Sequence, residues 1–563
     1  MKIKENQELY CDVLVAGGGT AGLMAAIGAA NGGANVILAE KANTLRSGCG
    51  YGGNDHFCCY IPEIHGEDPS AWIKEWQELP VTGITDLPRL KQIVKESFSV
   101  VQDWEQWGVP MRPHGKWEFC GHGMPGHMNI YLKYAGGNQK KVLTEQAKKQ
   151  GVKIFNHMPF DALLTDETGR VAGGICIDIS QKEPKMQVIR AKSVILCTGR
   201  TPRMFATETS AVMFNVAGCP SCAGAGMVEA YKAGARLVNL DSVGSGIGCK
   251  YLNRGGKATW IGVYSDKDGK PLGPFVDKPS IQYGDFTGDI WHDMFSKNFN
   301  SGNPVFMNVS EGTDEDIDFM VWGLHNEGNT CTLNALKEEG FDFKKHKVEF
   351  GRKRGGSVAG IDTNCEGETS LEGLYAAGDE VGNGVCGVAG AAVLGRIAGR
   401  NAAKYVQNIH AFKEDSLARQ IEECKKRYNE ILEREDDTAT PDWKEVNIAI
   451  QYTMSDYCGE LVRSERLLET GMEHLQRLKK KAENMHCKDS HTFMRVLEVE
   501  HIIALAELVL RSAMERMETR GGHKMADYPF TNPLYNGKFV TIQRVDGKEK
   551  VGFRKQITEE KER

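Results

Sequence analysis

Apolar residues change their period several times along the chain, and each change predicts an element. Val13 to Ala16 is a short apolar run, as suits a strand buried in a parallel sheet. Gly17, Gly19 and Gly22 follow at G-x-G-x-x-G spacing, and a helix is expected from near Thr20 to about Asn31, stopped by Gly32 and Gly33. Asn35 to Ala39 predicts the next strand, with Glu40 at its carboxyl end. Helical spacing covers residues 68–108 and 143–150, and a strand is expected over 152–155. Pro159 to Thr165 and Val171 to Asp178 read as a hairpin, and 191–200 as a further strand ending in Thr198-Gly199. From 201 to 350 the strand–helix rhythm is lost. It returns at Gly373 to Asp379 and in a glycine-rich helix start from Gly387. Residues 413–436, 442–484 and 489–519 carry helical periodicity with dense charge on the polar side, which predicts a hairpin or bundle of helices.

These changes divide the chain into an α/β nucleotide-binding unit in two parts, 1–200 and 351–410, interrupted by an inserted α+β domain over 201–350. A helical domain over 411–520 and a tail over 521–563 follow. A length of 563 residues requires more than one core. The formal net charge of −6 provides no basic footprint for nucleic acid. Val13 to Ala39 is uncharged, but its seven glycines mark a nucleotide loop rather than a membrane span. The amino terminus has no signal-peptide layout, so the cytoplasm is expected. The 16 cysteines include one C-x-x-C, Cys219 to Cys222, with no iron–sulfur run and no zinc spacing. No metal site is expected; His114, His122 and His127 are too irregularly spaced.

The chemistry lies in the glycine loop. Gly17 permits the tight turn, Gly19 lets a pyrophosphate approach the main chain, and Gly22 lets the helix pack on the strand. The helix start at Thr20 and Ala21 offers amide hydrogens to the phosphates. Glu40, 18 residues after Gly22, stands where a ribose-binding acid is expected. The turns Thr198-Gly199 and Gly378-Asp379 supply two further approaches to a nucleotide. In the inserted domain Arg352, Lys353 and Arg354, just before Gly355-Gly356, are candidate anchors for an anionic substrate.

Five separated segments agree in order: Gly17 to Gly22, Glu40-Lys41 with Arg46-Ser47-Gly48, Cys197-Thr198-Gly199, Gly373 to Asp379, and Gly390 to Gly399. Together with Glu518-Thr519-Arg520-Gly521-Gly522-His523 they resemble the FAD-binding flavoprotein subunits of the succinate dehydrogenase and fumarate reductase superfamily, most of all the adenylylsulfate reductase alpha subunit branch. The resemblance spans nearly the whole chain. It implies a fumarate reductase-like, FAD-dependent oxidoreductase with a Rossmann-like domain split by a capping domain. It also implies turnover of a small anionic substrate, with electron transfer to or from a ferredoxin-like iron–sulfur subunit.

Carried over, Glu40 and Lys41 lie at the ribose, main chain near Met158 at the adenine, and Asp379 at the ribityl chain. Ser47, Gly48, Gly53 and Asn54 line one side of the flavin, and Ala392 and Val393 face its pyrimidine edge. Lys250 and Arg254 fall where the reductase branch keeps a catalytic arginine; with Arg354 and Asn54 they are the catalytic candidates. Gly48 and Cys49 replace the histidine of covalent relatives, so non-covalent FAD is expected. Thr287 to Trp291 lacks the arginine that delivers a proton to fumarate in that family, so fumarate turnover is expected to be weak. Two alternatives stay open: a stand-alone fumarate- or enoate-type reductase with another proton donor, and a non-catalytic flavin relay. The aromatic tail from Tyr528 to Phe539 is expected to dock the iron–sulfur partner or to pack back on its own flavin domain.

Overall fold

The computed structural model describes residues 2–558 apart from 79–84, 124, 207–212, 215, 217, 243–244, 251–259, 286–291, 355–358, 386, 410–414, 436, 438–439 and 460–462. The leading apolar run forms strand Leu9–Ala16, parallel to Val36–Ala39 on one side and to Lys185–Leu196 on the other. Lys153–Phe155 extends one edge of this sheet, and Leu374–Ala376 pairs with the end of Lys185–Leu196. The antiparallel pair Phe160–Thr165 and Val171–Asp178 continues the sheet beyond Lys185–Leu196. Two glycine-bearing strand ends, near Gly17 and Thr198-Gly199, thus lie side by side. Gly378 follows the third strand, Leu374–Ala376.

Helix Thr20–Asn31 packs on helix Gly387–Val406 almost without side chains between them. A Cβ on Gly399 would lie 2.0 Å from the Ala25 carbonyl oxygen, and one on Gly395 2.5 Å from that of Ala21. These glycines bring the two helices together at main-chain distance.

The inserted segment builds its own antiparallel sheet in the order Ser245–Cys249, Val348–Arg354, Val305–Asn308, Val263–Ser265, with a core including Trp260, Tyr264, Phe295 and Phe350. The helical stretch forms Asp415–Leu432, Trp443–Tyr457, Glu465–Ala482 and Ser490–Glu515. The sequence span 442–484 is two helices rather than one. Asp442 and Ser464 each start one of them, accepting amide hydrogens of the first turn.

The tail is structural. Strand Lys538–Val545 sits between Leu237–Val238 and Lys548–Lys555, and Phe539, Val540 and Ile542 are buried. Its two-residue turn, Asp546-Gly547, has positive φ at both positions, as this type of hairpin requires. Arg554 bridges Asp86 and Asp362, each at 2.7 Å. The hairpin thus packs on the chain's own core, while Phe530, Leu534 and Ile557 of the tail's large apolar residues are exposed.

His523 illustrates how tightly the tail is joined. Its Nε2 donates to the Arg516 carbonyl at 2.8 Å, and its Nδ1 accepts from the Arg463 guanidinium at 2.5 Å. Burial first, and then the Arg463 charge, push its pKa down to about 4. An unfolded histidine takes its proton near 6.5. Between these values the unfolded chain binds more protons, so stability falls as pH drops from about 6.5 towards 4. We expect the urea midpoint to fall over this range in the native chain and to fall less in His523→Gln, by up to about 1.4 kcal/mol per pH unit. Parallel pH profiles for the two proteins would refute this role.

Candidate functional site

A single cleft runs past all the nucleotide turns. Its wall includes Gly17, Gly19, Thr20, Ala21, Glu40, Lys41, Ser47, Gly48, Asn54, Thr198, Gly199 and Asp379 among the residues expected from sequence. Gly22, Gly53, Met158, Gly378, Ala392 and Val393 do not reach it. Gly22 is spent on packing, since a Cβ there would lie 1.8 Å from the Gly17 oxygen. Met158 is buried, its amide donating to the Glu40 carbonyl, and Phe160 lines the cleft instead. Ala392 and Val393 are fully buried inside their helix, which meets the cleft through Gly387, Val388 and Ala391.

The walls are built for a dinucleotide. The glycine loop is held by side chains from outside it: the Gly18 amide donates to Glu40 Oε2 at 2.6 Å, and the Gly18 carbonyl accepts from Ser47 Oγ and from buried Lys140. A Cβ on Gly19 would meet nothing, so this residue opens on the cavity at the start of helix Thr20–Asn31. A side chain at Gly19 would occupy the space the loop leaves for phosphates. Burial lowers the Lys140 pKa to about 8.

The Thr198 amide and hydroxyl donate to Glu380 at 2.5 and 2.7 Å, which ties the turn at 198–199 to the one at 378–379. Burial pushes Glu380 up to about 7. Asp379 pairs with Arg200 at 3.1 Å and accepts from the Gly387 amide. Lys41 reaches away from the loop to Glu498 at 2.7 Å, where Arg203 and Arg495 also converge at 2.7 and 2.8 Å. Burial would raise the Glu498 pKa, but Lys41, Arg203 and Arg495 together hold it well below the usual range.

Beyond Asn54 lies a second cluster. Asn54 Oδ1 accepts from Gln139 at 2.6 Å. The next residue, Asp55, binds Lys133 at 2.6 Å and His56 at 2.7 Å, and Lys133 Nζ is 3.2 Å from His122 Nε2. Lys133 Nζ thus sits between Asp55 and His122. Burial works against the Asp55 charge, and Lys133 with both histidines overrides it, keeping the carboxyl ionised. Burial and the Lys133 charge keep His122 neutral.

The expected substrate side lies only partly among the described residues. Lys250 pairs with Glu349 at 2.6 Å at the edge of the inserted sheet. Arg254, Gly355-Gly356 and Thr287 to Trp291 lie outside the described residues, and of Arg354 only the main chain is described. Arg352 is buried, with its guanidinium 5.1 Å from the centre of the Phe299 ring, so it is not part of a solvated loop. Lys140, Gln139, Lys133, Glu380 and Glu498 carry no spacing signal in the sequence. Each is assembled only by the fold, from segments up to several hundred residues apart.

Comparison with known proteins accords with this geometry. The sequence profile of the family described as FAD binding domain matches residues 12–395, and that of the fumarate reductase flavoprotein C-terminal region matches 448–559. The chain is 27% identical over 588 residues to a fumarate reductase (CoM/CoB) chain of Methanothermobacter marburgensis, covering 96% of this chain and 98% of the relative. It is 24% identical to the succinate dehydrogenase flavoprotein subunit of Bacillus subtilis, covering 92% of each. Adenylylsulfate reductase of Archaeoglobus fulgidus superposes with a TM-score of 0.83 at 20% identity over 99% of this chain and 98% of that one. An E. coli quinol fumarate reductase chain superposes at 0.81 and 19% identity over 98% of both. No helix among the described residues is long and apolar enough to cross a membrane. The chain belongs to the FAD-binding domain family, carries the fumarate reductase flavoprotein C-terminal region, and is an FAD-dependent oxidoreductase of the fumarate reductase and succinate dehydrogenase superfamily.

Proposed function

We propose that this chain is a cytoplasmic catalytic flavoprotein subunit that exchanges electrons with a ferredoxin-like iron–sulfur protein and reduces or oxidises a small anionic substrate. The observation that carries the proposal is the unbroken cleft from Glu40 and Phe160, past the glycine loop, to Asp379, Asn54 and Gly387. In this reading Glu40 holds the adenosine ribose, Gly17, Gly19, Thr20 and Ala21 with Thr198-Gly199 cradle the pyrophosphate, and Asp379 orients the ribityl chain. Ser47, Gly48 and Asn54 flank the ring system, and attachment is non-covalent because Gly48 and Cys49 offer no histidine. FAD supplies the hydride and electron chemistry. The chain supplies orientation, and the Asp55–Lys133–His122–His56 cluster beside Asn54 holds protons within reach of that end of the cleft. Arg254 and Arg354 are proposed as substrate contacts, with Lys250 as support.

The sequence has no cysteine run of the iron–sulfur type, and we take an external carrier as the electron partner. Stopped-flow mixing of the reduced protein with an oxidised two-cluster ferredoxin should restore the flavin absorbance within seconds. Fumarate should do so on the order of 10²-fold more slowly, for want of the proton-donating arginine. Equal or faster reoxidation by fumarate, with none by the ferredoxin, would favour the stand-alone reductase.

A further inference from the structure

The chemistry described so far makes no use of the single C-x-x-C of the sequence. Cys219, Pro220, Ser221 and Cys222 form a turn closed by a hydrogen bond from the Cys222 amide to the Cys219 carbonyl, 3.1 Å long. A four-residue turn keeps its end Cα atoms within about 7 Å, and a disulfide spans about 4.4–6.8 Å. Both residues are thiols in this structure, and the Cys222 thiol is hydrogen-bonded to the Cys219 sulfur. Both line the cleft with Gly19, Gly199 and Asp379. A Cβ at Gly199 would lie 3.0 Å from Cys222 Sγ, so glycine at that nucleotide turn leaves the sulfur its place.

Two neighbours hold the turn. Lys41 Nζ donates to the Ser221 carbonyl at 2.6 Å, and the Cys219 amide donates to Cys49 Sγ at 3.4 Å. The two thiols differ sharply. The hydrogen bond from Cys222, opposed by burial and aided by the Ser221 amide and the Lys41 charge, lowers Cys219 below the ordinary thiol range. The same hydrogen bond, together with burial, raises Cys222 well above its ordinary value. Cys11 and Cys59, buried elsewhere, are each pushed up to about 12 by burial and are inert by comparison.

We propose that Cys219 and Cys222 are a redox-active pair that exchanges two electrons with the FAD bound in this cleft. The proposal rests on the reading that the cleft holds FAD and adds a second electron-pair store to it. On oxidation the Cys219 thiolate and the Cys222 thiol join in an S–S bond. The Cys222 S–H bond breaks, and two electrons and one proton leave the pair. The flavin takes both electrons and that proton, together with one more from solvent, to reach its dihydro form; the reverse transfer opens the disulfide. Cys49 is a positioning residue that fixes the Cys219 main chain.

The test uses full-length holoprotein isolated in air. One sample is quenched directly in denaturant with N-ethylmaleimide. A second is first photoreduced anaerobically through its flavin, and an apoprotein control receives the same light. Peptide mass spectrometry should find Cys219 and Cys222 linked in the oxidised holoprotein and in the apoprotein, and both alkylated after photoreduction. In a coulometric titration the native holoprotein should take up four electrons per FAD and Cys222→Ser two. Both thiols alkylated in the oxidised holoprotein, a disulfide that survives full bleaching of the flavin, or linkage of Cys219 to Cys49 would each overturn the proposal. Flavin content is read separately from its absorbance, so failure to bind FAD is distinguishable from failure of the pair.

Discussion

Gly22→Ala is expected to be purified largely without flavin. Its new methyl group would sit 1.8 Å from the Gly17 oxygen and 2.9 Å from the Gly17 carbonyl carbon. Both are main-chain atoms of the turn that shapes the phosphate cradle, so no side chain can swing aside. Overpacking of this kind costs about 1–3 kcal/mol, more where main chain must move. If opening the turn relieves the strain, FAD affinity falls by roughly 10- to 100-fold or more. Gly19→Ala is the informative contrast. Its methyl group meets no protein atom and points into the cavity. The Gly19→Ala apoprotein should therefore melt with the native apoprotein yet also bind FAD poorly. Titration of both apoproteins with FAD, followed by fluorescence quenching, separates the two effects. Native affinity in Gly22→Ala would contradict the assignment of the glycine loop.

Glu498→Gln should cause the second large effect, this time on stability. One carboxylate, nearly buried, answers Lys41, Arg203 and Arg495. Neutralising it leaves three cations facing one another with little water. Removing one partner of a buried ionic group costs about 3–5 kcal/mol. Because the folded pKa of Glu498 lies below its ordinary value of 4.5, its contribution is complete above about pH 4.5. It is lost as pH falls through the folded value. The gap between native and variant urea midpoints should thus be wide at neutral pH and narrow in acid. A gap that is absent at neutral pH would show that the three cations are satisfied by other means.

How much of this was legible in the sequence depends on chain distance. The unit from Asp12 to Glu40 is local: strand, turn, helix and acid follow one another, and each residue type there answers a main-chain requirement. The turns at Thr198-Gly199 and Gly378-Asp379 were legible for the same reason. Lys140 beneath Gly18, Glu380 between two turns and Glu498 among three cations were not. Each is an ordinary charged residue in an ordinary helix or loop until the fold brings it to the cleft. Ala392 and Val393 were carried over by resemblance, and helix geometry turns them inward while Val388 and Ala391 face out. The tail was legible in part: the Asp546-Gly547 turn signal marks the hairpin that buries Phe539, while Tyr528 to Tyr535 lie ahead of it.

The placement of that hairpin has a consequence for biosynthesis. Val238 pairs with Thr541, and Asp86 is bound by Arg554. The sheet begun at Leu237 cannot close on the ribosome until some 300 further residues have been made, which at ordinary elongation rates takes about 15–60 s. Through that interval the strand edge at Leu237–Val238 has no partner on that side. The interval before the hairpin is made is when a holdase chaperone has most to protect.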